Sequence, residues 1–145
     1  MADATHHEAH LSKPAVQVEL VWTGKLQFGA STVSSALVVD GDSVAGPSPV
    51  QLLATALLGC MSADVVDILH KGRHALTGFH AALAGERMPD PPRRLTRVTL
   101  RFTIHGNVPA GAVDRAITLS REKYCSVWHS LRQDIELATA FDIVA

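Results

Sequence analysis

The residues best suited to chemistry in this 145-residue chain are its two cysteines, Cys60 and Cys125. Cys60 follows Gly59 inside a long apolar stretch, where the missing side chain leaves room for a partner or ligand to approach. Cys125 falls at the junction of two helical patterns. A thiol at a helix N-terminus meets unpaired N–H groups and the positive end of the dipole, which favour thiolate. Each is equally readable as a small buried hydrophobe, the commonest state of a free cysteine. There is no CxxC, so a redox pair must be assembled by the fold, with Cα atoms coming within about 7 Å.

Other residues offer weaker chemistry. Cys125 and His129 are spaced i, i+4 and would share a helix face, as a thiol–imidazole contact or half of a metal site. Nothing in the spacing demands completion of such a site. Asp64 lies one turn beyond Cys60, where its charge would raise the thiol pKa, so it is expected to face solvent or to pair with Lys71 or Arg73. His70 and His74 flank a helix end, where a cation complements the dipole. His6, His7 and His10 cluster in a polar N-terminal stretch that offers no other ligand type and lacks the HExxH pattern. Nucleotide-binding glycine motifs and the GxSxG nucleophile motif are absent from the sequence.

Composition narrows the class. Thirteen Lys and Arg against fourteen Asp and Glu leave no cationic surplus, which excludes an electrostatic nucleic-acid binder. With 47% apolar and 19% charged residues, the chain can build a core. The longest apolar run, Val50 to Met61, falls short of the ~20 residues of a bilayer span. The N-terminus has neither the basic nor the apolar part of a secretory signal, so a cytoplasmic protein without membrane partners is expected. In a reducing compartment, pairing of the cysteines would belong to chemistry and not to permanent stapling.

The elements that must position these residues read as βββ-α-ββ-α-α-β, an α+β domain of antiparallel sheets on a long central helix. Residues 1–14 read as a mobile tail and 15–145 as one domain. Strands are expected at Val16–Trp22, Leu26–Phe28 and Ser35–Val39, ended by the turn dipeptide Asp40-Gly41. Ser48 caps a helix that Pro49 opens, with Gln51 placed to close a capping box and Gly72 as the C-cap. Its first three turns are apolar nearly all round, which predicts a buried central helix. Strands at Leu76–Glu86 and Leu95–His105 follow. The second has the cleanest alternation in the chain: Thr96, Val98, Leu100, Phe102 and Ile104 face one way. Helices at Ala110–Tyr124 and Ser126–Arg132 and a strand at Ile135–Val144 complete the order.

Gly46-Pro47-Ser48-Pro49-Val50-Gln51-Leu52-Leu53, continuing to Gly59-Cys60 and to Asp64 through Arg73, resembles the first signature of the OsmC/Ohr family of osmotically inducible and organic hydroperoxide resistance proteins. Ala116 through Val127, with Lys-Tyr-Cys-Ser-Val at its end, resembles the second and is closer to the less-studied OsmC-like branch. The likeness runs from Val16 to Ile143. It implies an intertwined homodimer and a stress-response antioxidant enzyme that reduces organic hydroperoxides. On that likeness Cys60 is the peroxidatic thiolate and passes through a sulfenic acid, Cys125 resolves it as a disulfide, and a dithiol restores both. No metal or organic cofactor is implied, and an apolar pocket at the dimer seam would favour alkyl hydroperoxides.

The chain departs from that pattern at one point. Better-characterised members carry a glutamate just after the helix-start proline, paired with an arginine beside the thiolate. Here the stretch reads Pro49-Val50-Gln51-Leu52, and no arginine lies between Lys25 and Cys60. Losing a cation near the sulfur should slow peroxide attack, with Gln51 and His129 as the residues that could support the thiolate instead. Two other readings stand beside the enzyme: a non-catalytic binder of a hydrophobic small molecule at the interface pocket, and a thiol redox sensor.

Overall fold

The computed structural model describes residues 13–145, so the His6, His7 and His10 cluster lies outside the described residues. The chain divides into two compact units at Ser48/Pro49.

The first unit is an antiparallel meander of β1 (Glu19–Gly24), β2 (Gln27–Ser31) and β3 (Ala36–Asp40). β1 begins three residues later than the alternation from Val16 suggests. Glu19 pairs with Ser31, the last residue of β2, so the chain before it meets no partner strand. Val18, Leu20 and Trp22 are more than half exposed. After β3 the chain folds back on Asp40, whose carboxylate accepts the backbone N–H groups of Asp42, Val44 and Ala45. Those bonds, Ala45 first, hold the Asp40 carboxyl below the ordinary carboxylate range. Gly46 is required beneath this loop, because a Cβ there would stand 2.4 Å from the Val38 carbonyl oxygen.

The second unit holds α1 (Pro49–Lys71), β4 (Ala75–Arg87), β5 (Leu95–Asn107), α2 (Ala110–Leu119), α3 (Ser126–His129) and β6 (Glu136–Val144). Its sheet has the order β4-β5-β6. The α+β class and the element order are as expected, and one pairing differs from an all-antiparallel sheet: β6 lies parallel to β5, in register from Arg97↔Glu136 to His105↔Val144. A parallel neighbour needs a crossover, and α2 and α3 form it. As the middle strand, β5 buries Val98, Leu100, Phe102 and Ile104 almost completely, as its alternation predicts.

Pro49 opens α1, and its Ala- and Leu-rich body carries one buried stripe, Leu57, Met61, Val65 and Leu69, at i, i+4 spacing. Burying each such side chain contributes roughly 1.5–3 kcal/mol. The helix is less covered than its composition predicts. Gln51, Leu53, Thr55, Ala56 and Gly59 are exposed within this chain, because the sheet and α2 reach only one side of it. At 23 residues α1 is also long and apolar enough to cross a membrane by length and composition, more than the run Val50 to Met61 suggests. Its buried stripe shows a core use for that apolarity. The C-terminus closes at Arg73, which takes the left-handed conformation expected of Gly72, while a Cβ on Gly72 would press on the His74 ring at 2.8 Å.

Candidate functional site

Cys60 sits at the start of the fourth turn of α1, half-buried, and reaches the core cluster beside the Leu57–Met61 stripe. The expected helix Ala110–Tyr124 does not continue to Cys125 as an α-helix. From Ser120 to Tyr124 it widens into a π turn, and the Cys125 N–H bonds to the Ser120 carbonyl oxygen at 2.8 Å. Such insertions recur at functional sites because they re-aim the side chains that follow. Here the widening takes Cys125 out of helical conformation, with φ −71° and ψ 96°, and makes it the N-cap of α3. Its sulfur accepts the Trp128 backbone N–H at 3.3 Å.

The two cysteines are free and meet. The sulfurs of Cys60 and Cys125 and a carboxylate oxygen of Asp64 all lie within 4.8 Å of one another. Cys60 Sγ also stands 3.9 Å from the Ser126 hydroxyl, a weak contact in which either group donates. The expectation that Asp64 faces solvent or pairs with Lys71 is therefore corrected. Asp64 turns inward to accept a 2.8 Å hydrogen bond from the Ser120 hydroxyl, and Lys71 pairs instead with Asp67 at 2.7 Å. A carboxylate tolerates that position because a buried hydroxyl satisfies it.

The electrostatics of Cys125 also differ from the expectation of a helix-stabilised thiolate. Burial pushes its thiol up to about 11, helped by the neighbouring Cys60 and the negative charge of Asp64. The Trp128 N–H works the other way and is outweighed, since α3 spans only four residues. His129 is exposed at the far end of α3, outside the three-residue cluster. The i, i+4 argument fails because Cys125 is a cap and not a helical residue. Gln51 lies up α1 from Cys60 by about 13 Å of helix rise, in the exposed first turn. Neither residue is brought to the sulfurs within this chain. Ser120 and Ser126 were not singled out by sequence reasoning. The signal for them is their place in the second signature, Ser126 as the serine of Lys-Tyr-Cys-Ser and Ser120 three residues before its lysine.

A cavity of about 350 Å³ opens beside Asp64, lined also by Asp67, Ile68, Lys71, Leu119 and Tyr124. At Gly59 a Cβ would meet nothing within 4 Å, so the room expected at that glycine is present, about 100° round the helix from Cys60.

A long helix and a mixed sheet that bring two reduced sulfurs together define an α+β protein with a paired-thiol site. The OsmC-like protein family model matches residues 40–140, and the chain belongs to that family. It is 35% identical over 133 residues to protein YhfA of Escherichia coli strain K12, covering 90% of this chain and 99% of that protein. A hypothetical protein from Aquifex aeolicus VF5 superposes with a TM-score of 0.84 at 25% identity, covering 90% of this chain and 97% of the other. The organic hydroperoxide resistance protein OhrB of Bacillus subtilis shares the fold, with a TM-score of 0.66 at 13% identity over 90% of this chain and 100% of its own.

Proposed function

We propose that this protein is a thiol-dependent peroxidase of organic hydroperoxides. The observation that carries the reading is the approach of a half-buried Cys60 sulfur to a buried Cys125 sulfur within 4.8 Å. The Cys60 thiolate attacks the terminal peroxide oxygen. The O–O bond breaks, sulfur loses two electrons to become a sulfenic acid, and the alkoxide leaves as the alcohol after taking a proton. The Cys125 sulfur then displaces hydroxide from that sulfenic acid, forming the S–S bond and releasing water. Cys125 enters this step as a protonated thiol, consistent with its raised pKa, so the proton that completes the water is already at the site. Asp64, beside both sulfurs, is placed to relay it. An external dithiol reduces the disulfide by exchange.

The difference in burial supports division of labour between the two thiols, because Cys60 is half-buried whereas Cys125 is fully buried. The charged group beside the sulfurs among the described residues is Asp64, so cationic assistance to peroxide attack would have to come from the partner subunit of a homodimer. The exposed apolar residues of the first turns of α1, such as Leu53, support a homodimer that covers them. Stopped-flow oxidation with cumene hydroperoxide tests the activity in wild type, Cys60→Ser and Cys125→Ser. Wild type should react faster than a free cysteine of matched pKa, Cys60→Ser should not react, and Cys125→Ser should stop at the sulfenic acid. A wild-type rate no faster than the free thiol removes the peroxidase reading.

One observation favours a second reading, a binder of a hydrophobic small molecule. A pocket of about 260 Å³ is lined by the apolar Val50, Leu53, Pro92, Leu95, Leu131 and Ile135, with Arg87, Arg93, Arg94 and Arg132 around them, and by neither cysteine. That reading predicts ligand-dependent thermal stabilisation that survives Cys60→Ser.

A further inference from the structure

We propose that Cys60, Cys125 and Asp64 form a binding site for a thiophilic divalent cation of the zinc type. Three donor atoms of suitable chemistry already lie within 4.8 Å of one another. Zinc–sulfur and zinc–oxygen bonds of about 2.0–2.3 Å require neighbouring donors to be under ~4 Å apart, so closure moves side chains by about 1 Å at most. Two sulfurs select borderline and soft metals over magnesium or calcium. The carboxylate brings the ligand charge to three negatives, which suits a divalent ion with one position left for water.

The groups around these donors are those that orient metal ligands. The Ser120 hydroxyl holds the Asp64 carboxylate at 2.8 Å, and the Trp128 backbone N–H points at the Cys125 sulfur at 3.3 Å. In the reduced protein the Asp64 carboxylate stands beside two free thiols, and a cation takes the place of the thiol protons. Binding converts both thiols to metal thiolates and releases two protons to solvent, while the metal keeps its oxidation state. Metal and disulfide are then mutually exclusive, since each uses both sulfurs. The site needs only the reduced cysteines and stands whether or not the protein turns over hydroperoxides.

The test uses Co²⁺ as a spectroscopic probe on the reduced full-length chain under anaerobic conditions. One Co²⁺ per chain should bind with thiolate-to-metal charge-transfer absorption in the near ultraviolet, be displaced by Zn²⁺, and be excluded by prior disulfide formation. Cys60→Ser and Cys125→Ser should each remove about half of that absorption per bound metal or abolish binding. Ser120→Ala, which removes the hydrogen bond that orients Asp64 but none of the three ligands, should weaken affinity by about 10–100-fold while retaining the charge-transfer band. A variant with His6, His7 and His10 all changed to alanine should bind as wild type does. Binding without the charge-transfer band, a band indifferent to both cysteine substitutions, or binding lost with those histidines would each overturn the site. Cumene hydroperoxide turnover, measured separately, decides the peroxidase reading without touching this one.

Discussion

The Ser120 hydroxyl donates a 2.8 Å hydrogen bond to the Asp64 carboxylate, fastening the π turn to the middle of α1. The bond turns a charge that would otherwise seek water toward two sulfurs, and it sets what each neighbour does. Because Asp64 raises the Cys125 pKa, Asp64→Asn should bring that pKa down from about 11, while burial, the largest cause, keeps it above the ordinary thiol value of 9.0. The pH dependence of Cys125 alkylation, followed by mass spectrometry, reads the change. An unmoved profile would show that the carboxylate does not act on the sulfur.

The raised thiol also has a consequence for alkaline stability. A folded thiol that ionises near 11, against 9.0 when exposed, stays protonated while the unfolded chain loses its proton. The unfolded state therefore binds fewer protons, and stability should fall as pH rises from about 9 toward 11. Urea unfolding across that window should show the decline in wild type and a flatter dependence in Cys125→Ala.

Burial separates the two sulfurs kinetically. Cys60 is half-buried beside an open glycine and Cys125 is fully buried, so iodoacetamide should modify Cys60 first in the native protein. Peptide mapping after partial labelling measures the order, and Cys125 labelling first would refute it.

Gly106 has a positive φ of 119°, and a Cβ there would lie 2.0 Å from the Ala75 carbonyl oxygen, where the register of β4 against β5 shifts. Gly106→Ala should cost about 1–3 kcal/mol for the backbone alone, and more for the clash. In contrast, Gly111→Ala in α2 meets nothing within 4 Å and should stabilise by about 0.5–1 kcal/mol. Chemical denaturation of the pair distinguishes local strain from a general cost of added volume.

In the first unit, Asp40 has a lowered pKa because three backbone N–H groups bind its charged form. Its stabilising contribution is full above the ordinary carboxylate value of 3.8 and is lost as pH falls through the lower folded value. Amide exchange at Ala45 should quicken in Asp40→Asn at neutral pH, and an unchanged rate would show that the carboxylate does not hold the loop.

The elements were readable where a periodic pattern met its own partner. The alternation of β5 identified its buried face from Val98 to Ile104, while Thr96 on that face is only partly buried, and Pro49 marked the start of α1. β1 was misplaced at its start because alternation cannot say where a neighbouring strand runs out, and Glu19 is limited by Ser31 on β2. Both cysteines could be singled out from the sequence, but their surroundings could not. The π turn is a one-residue shift in the backbone hydrogen bonding, marked by the bond from Cys125 N–H to Ser120 oxygen, and no residue pattern announces it. That single shift removed His129 from the sulfur face and brought in Ser120. It left Asp64 with an inward partner from a segment 56 residues away, beyond the reach of local spacing.

The parallel pairing of β5 with β6 has a consequence for the timing of assembly. The crossover that carries Cys125 lies between those strands in the chain and packs directly on α1. Cys60 is made early in the chain and Cys125 late, with the β4–β5 hairpin between them. During synthesis Cys60 therefore emerges as an ordinary solitary thiol, and the pair is assembled only once the crossover has been made and has packed on α1. Competence at the sulfurs is thus a report that a segment made 65 residues later has reached its place.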